Sequence, residues 1–131
     1  SRQSRGLGDV YKRQVLNDPK FSYIFDENVL SEVPFSAHLS NLKNQKIYGI
    51  IDRLIIGSNS VQIIDFKTNS TVPKTVDNIP LGILRQMAAY RLAIKEIFPD
   101  KEVGCYILWT AIRKLDFIKK DLLDYNNLDS S

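Results

Sequence analysis

The chain has 131 residues, a length that fits one domain with a single core and a modest margin of stability. Its composition, 44% hydrophobic and 25% charged, is that of an ordinary soluble globular protein. One cysteine, Cys105, excludes an internal disulfide or a cysteine metal cage, and no apolar run reaches the length of a membrane span.

The formal net charge of +3 lies entirely in Ser1 to Gln14, through Arg2, Arg5, Lys12 and Arg13 against Asp9. A basic arm for nucleic acid is one reading. The run Ser4 to Gln14 also resembles translated sequencing-adapter sequence, so residues 1–14 are expected to be a non-native leader. The domain is expected within residues 15–131, which are neutral overall and give no global sign of nucleic-acid binding. Nothing at the N-terminus reads as a signal peptide, and a cytoplasmic location is expected.

Residues 15–26 are mixed, with Asn17-Asp18-Pro19 as a turn signal. Val29 to Leu39 alternates as a half-buried strand, placed near a sheet edge because Pro34 lacks a backbone donor. Ser40 to Gln45 is a polar turn. Lys46 to Ile56 and Val61 to Lys67 are β-branched runs joined by Gly57-Ser58-Asn59-Ser60, which predicts a hairpin. Asn69 to Lys74 reads as loop. Asp77 or Asn78 is the expected cap of a helix over Leu81 to Phe98, with Ile83, Met87, Tyr90, Ile94 and Ile97 on its apolar side. Pro99-Asp100 ends that helix. Val103 to Thr110 is almost continuously apolar, which predicts a central strand with Cys105 as a core thiol. Leu115 to Ile118 is a short last strand, followed by a helical turn over Lys119 to Tyr125. The order predicts an α/β sandwich: a mixed central sheet with flanking helices.

Asp52 and Asp65 are acids inside apolar strands, and burying a carboxylate without a partner is costly. With the turn centred between Ser58 and Asn59, Leu54 pairs with Ile63 and Asp52 with Asp65. Their Cβ atoms would then lie about 4.5–5.5 Å apart. A divalent cation resolves that repulsion, and two carboxylates plus water suit magnesium. Lys67, two residues past Asp65, projects from the same face about 7 Å further on. There it can polarise an attacking water or stabilise charge on a phosphate. Gln86 and Tyr90 are four apart, on one side of the helix, within reach of this site.

Each residue has a plainer reading. Asp52 alone fits a structural ion pair, with Arg53 for example, and Asp65 with Lys67 fits an exposed strand-end pair. Glu32 is equally an edge carboxylate, Gln86 a backbone bridge, Tyr90 and Trp109 core. Arg85 and Arg91 fit phosphate contacts or a solvated helix face.

The ordered set Gly49-Ile50-Ile51-Asp52-Arg53, Asp65-Phe66-Lys67-Thr68 and Gln86-Met87-Ala88-Ala89-Tyr90 resembles the PD-(D/E)XK nuclease superfamily, and within it the RecB-type group. Ser31-Glu32-Val33-Pro34-Phe35 and Ile107-Leu108-Trp109-Thr110 extend the likeness toward the nuclease domain of AddA-type helicase-nuclease subunits. The resemblance implies a restriction-endonuclease-like fold and, for residues 15–131, part of such a nuclease domain. It implies Asp52 and Asp65 as metal-binding acids, Lys67 as catalytic lysine and Glu32 as a further catalytic carboxylate. Gln86, Tyr90, Arg53 and Thr68 are the expected substrate-side residues. The implied cofactor is Mg²⁺, with Mn²⁺ as substitute, and ATP only in an attached helicase portion. The implied partners are DNA and an AddB-like second subunit, in double-strand break repair and recombination. An upstream helix with a metal-binding His belongs to that pattern; no segment here matches it, and His38 does not take its role. A catalytically inactive nuclease-like scaffold or DNA-binding domain is the alternative.

Overall fold

The computed structural model describes residues 17–39, 45–69 and 71–124. The expected leader, most of the polar turn after Leu39, and Tyr125 lie outside the described residues. The elements are a 3-10 helix Pro19–Phe25, strands β1 (Leu30–Leu39), β2 (Gln45–Ile56) and β3 (Ser60–Lys67), helix α1 (Leu81–Ile97), and strands β4 (Glu102–Trp109) and β5 (Lys114–Ile118). Two further 3-10 turns span Val76–Asn78 and Lys120–Leu123.

The strands form one sheet in the order β1-β2-β3-β4-β5. All neighbours are antiparallel except β3 and β4, which run parallel because α1 carries the chain back between them. β1 is an edge strand, as Pro34 required. The middle strand is β3; β4, expected at the centre, lies one place further out. Its apolar run is explained by cover on both faces toward its C-terminal end. There Ile107 and Trp109 face α1 and Leu108 faces the Pro19–Phe25 segment.

Most of the core lies between the sheet and α1. Ile51, Leu54, Val61, Ile63, Val103, Cys105, Ile107 and Trp109 pack there against Leu84, Met87, Ala88, Tyr90 and Ile94. Met87, Tyr90 and Ile94 follow the predicted stripe, whereas Ile97 is 62% exposed. Ala88, Ala89 and Ala93 are buried instead, and these small side chains let the helix approach the strands. The expected caps do not cap α1: Asp77 and Asn78 belong to their own 3-10 turn, and Pro80 holds the N-cap position without a side-chain bond. On the reverse face, Phe21 and Ile24 cover Ile64 and Leu108. A carboxylate of Asp18 starts that segment by accepting the Lys20 backbone N–H at 3.0 Å.

Candidate active site

The hairpin register counted from the turn holds for four pairs, from Ile56–Val61 to Arg53–Ile64. The ladder stops there, one step short of the expected Asp52–Asp65 pair. Alternation of the antiparallel bonds would next send the Phe66 N–H to the Ile51 carbonyl. Instead the Asp52 Oδ2 accepts it at 2.8 Å. β2 turns away from β3 at this point, and its side chain replaces the lost backbone acceptor.

The turn shows in the packing. Ile51 and Leu54, three apart, both enter the core beside α1, while Arg53 faces the reverse side between the rings of Phe25 and Phe66, at 5.3 and 5.1 Å. Across the sheet β1 breaks at the same level. Ser31 pairs with Arg53 and Val33 with Ile51, while Glu32 between them, level with Asp52, has φ of 50°. That left-handed conformation is uncommon for a non-glycine residue inside a strand and shifts the pleat by one position.

Asp65 stays on the α1 side and is 3% exposed. Lys67 Nζ lies 3.0 Å from its Oδ2. Apart from that ion pair, the buried oxygen has no hydrogen-bond partner among the described residues. Burial is the main reason the Asp65 carboxyl is raised from 3.8 to about 6. The nearby Lys67 charge pulls it down, while the Asp52 charge raises it. The two acids therefore act on one another at close range, although their backbones are no longer paired.

Lys67 Nζ donates to Gln86 Oε1 at 2.9 Å, Gln86 Nε2 donates to the Tyr90 hydroxyl at 2.8 Å, and that hydroxyl donates to the Ile50 carbonyl at 3.2 Å. Two α1 residues one turn apart thus join the lysine of β3 to the backbone of β2. The Tyr90 ring meets Phe35 edge-on at 5.2 Å, with Gly49 leaving room between them. The Tyr90 phenol is pushed up to about 12, first by burial and then by the Asp65 charge, so it stays protonated as a donor.

The remaining expected site residues are Arg53, Thr68 and Glu32. Arg53, expected to contact substrate, lies on the reverse face of the sheet and donates to the Asp52 carbonyl at 2.8 Å. Its direction follows the hairpin alternation, since Arg53 pairs with Ile64, whose side chain also packs on the reverse face. Thr68 is exposed just past β3, and Glu32 is exposed on the edge strand. Thr110 was missed by the sequence reading of this site. It is 1% exposed and holds the Lys67 carbonyl through its N–H at 2.9 Å and its Oγ1 at 3.3 Å. A polar residue ending an apolar strand was its only signal. Asp116 was also missed: it is buried, accepts from Trp109 Nε1 at 2.9 Å and pairs with Lys114 at 3.4 Å.

The donor set fits a hard cation: two interacting carboxylates, one with a buried oxygen lacking a hydrogen bond. Among the described residues no group of three or more His, Cys, Asp or Glu side chains adds further protein ligands. The remaining coordination would come from water and substrate, as Mg²⁺ commonly has it.

A family model described as the PD-(D/E)XK nuclease superfamily matches residues 3–120. No curated protein matches the chain. Among solved structures, a Eubacterium rectale protein provisionally named an exonuclease is similar over 95% of this chain, with a TM-score of 0.65 and 12% sequence identity. This chain spans about half of that one, 49% of its length, and the likeness at such low identity is one of fold. The mixed five-stranded α/β sheet, with α1 on one face and Pro19–Phe25 on the other, is consistent with the restriction-endonuclease-like architecture.

Proposed function

This chain belongs to the PD-(D/E)XK nuclease superfamily, and we propose that it is a Mg²⁺-dependent deoxyribonuclease domain whose reaction centres on Asp52, Asp65 and Lys67. The observation that carries this reading is the buried Asp65 oxygen without a hydrogen bond, beside Asp52 and within 3.0 Å of an amine. A sequence selected for stability alone would not place these groups so.

Asp52 and Asp65 would hold the cation. When bound, it supplies Lewis-acid stabilisation of a phosphoryl oxygen and acidifies water. The Phe66 N–H occupies one oxygen of Asp52 and fixes the direction of the other. Gln86 holds Lys67 Nζ at the mouth of the site, where the amine orients the attacking water or meets charge on the phosphate. Buried walls from β3 and α1 keep the local dielectric low, which strengthens each of these interactions. Glu32, level with Asp52, would be a further catalytic carboxylate, with Thr68 on the substrate side and Arg53 acting from behind Asp52.

The narrower reading is an AddA-type domain in a longer bacterial helicase-nuclease, acting in the cytoplasm on unwound DNA during double-strand break repair, with an AddB-like subunit. ATP would serve only the helicase portion. Support comes from the motif order and from the larger size of the structural relative. Helicase motifs in the upstream coding sequence are the expected finding. An inactive nuclease-like scaffold is the second reading, favoured by the presence of only two clustered acids among the described residues.

Single-stranded DNA incubated with Mg²⁺ decides between them. Wild type is expected to cleave, with Asp65→Ala and Lys67→Ala at least 100-fold slower, in keeping with general acid–base and electrostatic contributions of roughly this size. Equal cleavage by all three proteins would overturn the mechanism.

A further inference from the structure

The reverse face of the sheet carries a second concavity, separate from the carboxylate site. It has a volume of about 330 Å³ and is lined by Lys20, Phe21 and Tyr23 from the 3-10 segment and by Arg113, Lys114 and Leu115 from the β4–β5 hairpin. No acidic side chain is among these walls. Lys114 turns its amine to Asp116, so it supplies mainly its stem. Lys20 and Arg113 supply the charge, and among the described residues neither is in an ion pair. Lys20 Nζ lies 5.0 Å from the ring centre of Phe21, which is buried beneath it. Arg113 has φ of 53°, so the hairpin turn sets the direction of its side chain. Tyr23 is 46% exposed beside them.

The place of this concavity matters as much as its chemistry. The hairpin opens at Thr110, whose N–H and hydroxyl both hold the Lys67 carbonyl. Arg113 is three residues further, and three residues reach at most about 10 Å. The cations therefore sit a short way around the sheet end from the lysine of the carboxylate site. Outside residues 1–14 the chain is neutral, so nucleic-acid affinity has to come from local groups such as these.

We propose that this concavity is a binding subsite for single-stranded DNA, a few nucleotides from the phosphate at Asp65 and Lys67. Arg113 and Lys20 take a backbone phosphate, the guanidinium through paired N–H donors and the amine as a point charge. Tyr23 offers a ring on which one base stacks, a contact that tolerates any base. The proposal rests on the nuclease reading for its strand, but its own observations are independent of the carboxylates.

The test is fluorescence anisotropy of a labelled single-stranded 20-mer in EDTA, at several salt concentrations, followed by cleavage assays with Mg²⁺. For the doubly substituted Lys20→Gln, Arg113→Gln protein, affinity is expected to fall about tenfold. The slope of log affinity against log salt should flatten by roughly 0.7 to 1.4, the value for one or two phosphate contacts. Tyr23→Ala is expected to weaken binding about fivefold or more with its salt slope unchanged. Cleavage at saturating DNA should stay within twofold of wild type, with KM raised. Lys95→Gln, on α1, is the control expected to match wild type. Wild-type affinity and slope in the double variant overturn the subsite, as does an absence of single-strand binding by wild type. Loss of binding in that variant, with a wild type that binds but never cleaves, supports the subsite and rejects the nuclease reading instead.

Discussion

The Asp52 carboxylate takes the Phe66 N–H at 2.8 Å, the bond that the backbone of β2 would otherwise make to β3. The same two residues are joined a second time from behind. Arg53 donates to the Asp52 carbonyl at 2.8 Å and lies 5.1 Å from the Phe66 ring centre. Asp52 is thus held at its side chain by the Phe66 amide and at its backbone by Arg53.

Removing Arg53 should loosen this clamp. Arg53→Ala loses one hydrogen bond to a carbonyl and two cation–ring contacts, with Phe25 and Phe66. A stability loss of about 1–3 kcal/mol is expected in urea unfolding. Calorimetry with Mn²⁺ should show metal affinity reduced about tenfold, with Arg53→Lys in between. Unchanged metal affinity in Arg53→Ala would show that the clamp does not orient Asp52.

The metal-free protein should lose stability as pH rises through the window set by Asp65. Folded Asp65 keeps its proton up to about pH 6, against an ordinary value of 3.8. The folded state therefore binds more protons between those values, so this contribution is full below the lower one and lost above the upper one. The size is on the order of 1–3 kcal/mol. Urea unfolding in EDTA at pH 4.5 and 7.5 measures it, and Asp65→Asn should flatten the difference. Mg²⁺ at pH 7.5 is expected to raise the Tm of wild type but not of Asp65→Asn.

Gln86 and Tyr90 should separate in their effects. Gln86→Leu leaves Lys67 Nζ with Asp65 alone, and a fall in kcat of about tenfold is expected with DNA binding in EDTA unchanged. Tyr90→Phe keeps the edge-on contact with Phe35 but loses the Ile50 bond, costing about 1 kcal/mol. With the phenol at about 12, the pH–rate profile below pH 10 should not change shape in Tyr90→Phe. A lost alkaline limb would make Tyr90 a proton donor in the reaction.

Two glycines offer a packing test. A Cβ at Gly49 would stand 2.7 and 2.9 Å from atoms of the Phe35 ring and 3.1 Å from the Tyr90 ring. Gly49→Ala is expected to cost about 1–3 kcal/mol and to slow cleavage, because Tyr90 supports the chain of bonds to Lys67. At Gly82 nothing lies within 4 Å of such a Cβ, so Gly82→Ala should be neutral or stabilise α1 by up to about 1 kcal/mol. Thermal melts of both variants provide the check.

Much of this arrangement follows from local pattern in the sequence. Two β-branched runs around Gly57 to Ser60 determine the hairpin and its register, because a one-residue slip would exchange the side chains of the two faces. The two-residue step puts Lys67 on the side of Asp65, and the four-residue step puts Gln86 and Tyr90 on one side of α1. Tertiary structure alone decided where those regularities fail. The break at Glu32 and Asp52 arises between paired strands, beyond any local window, and it goes with the Asp52 carboxylate on the Phe66 amide. Likewise, only the packing of α1 brings Gln86 to Lys67, and only the sheet order brings Thr110 to the Lys67 carbonyl. Periodicity records which face a residue prefers. How closely two faces approach, and which polar group fills a missing backbone bond, depend on contacts that no local window contains.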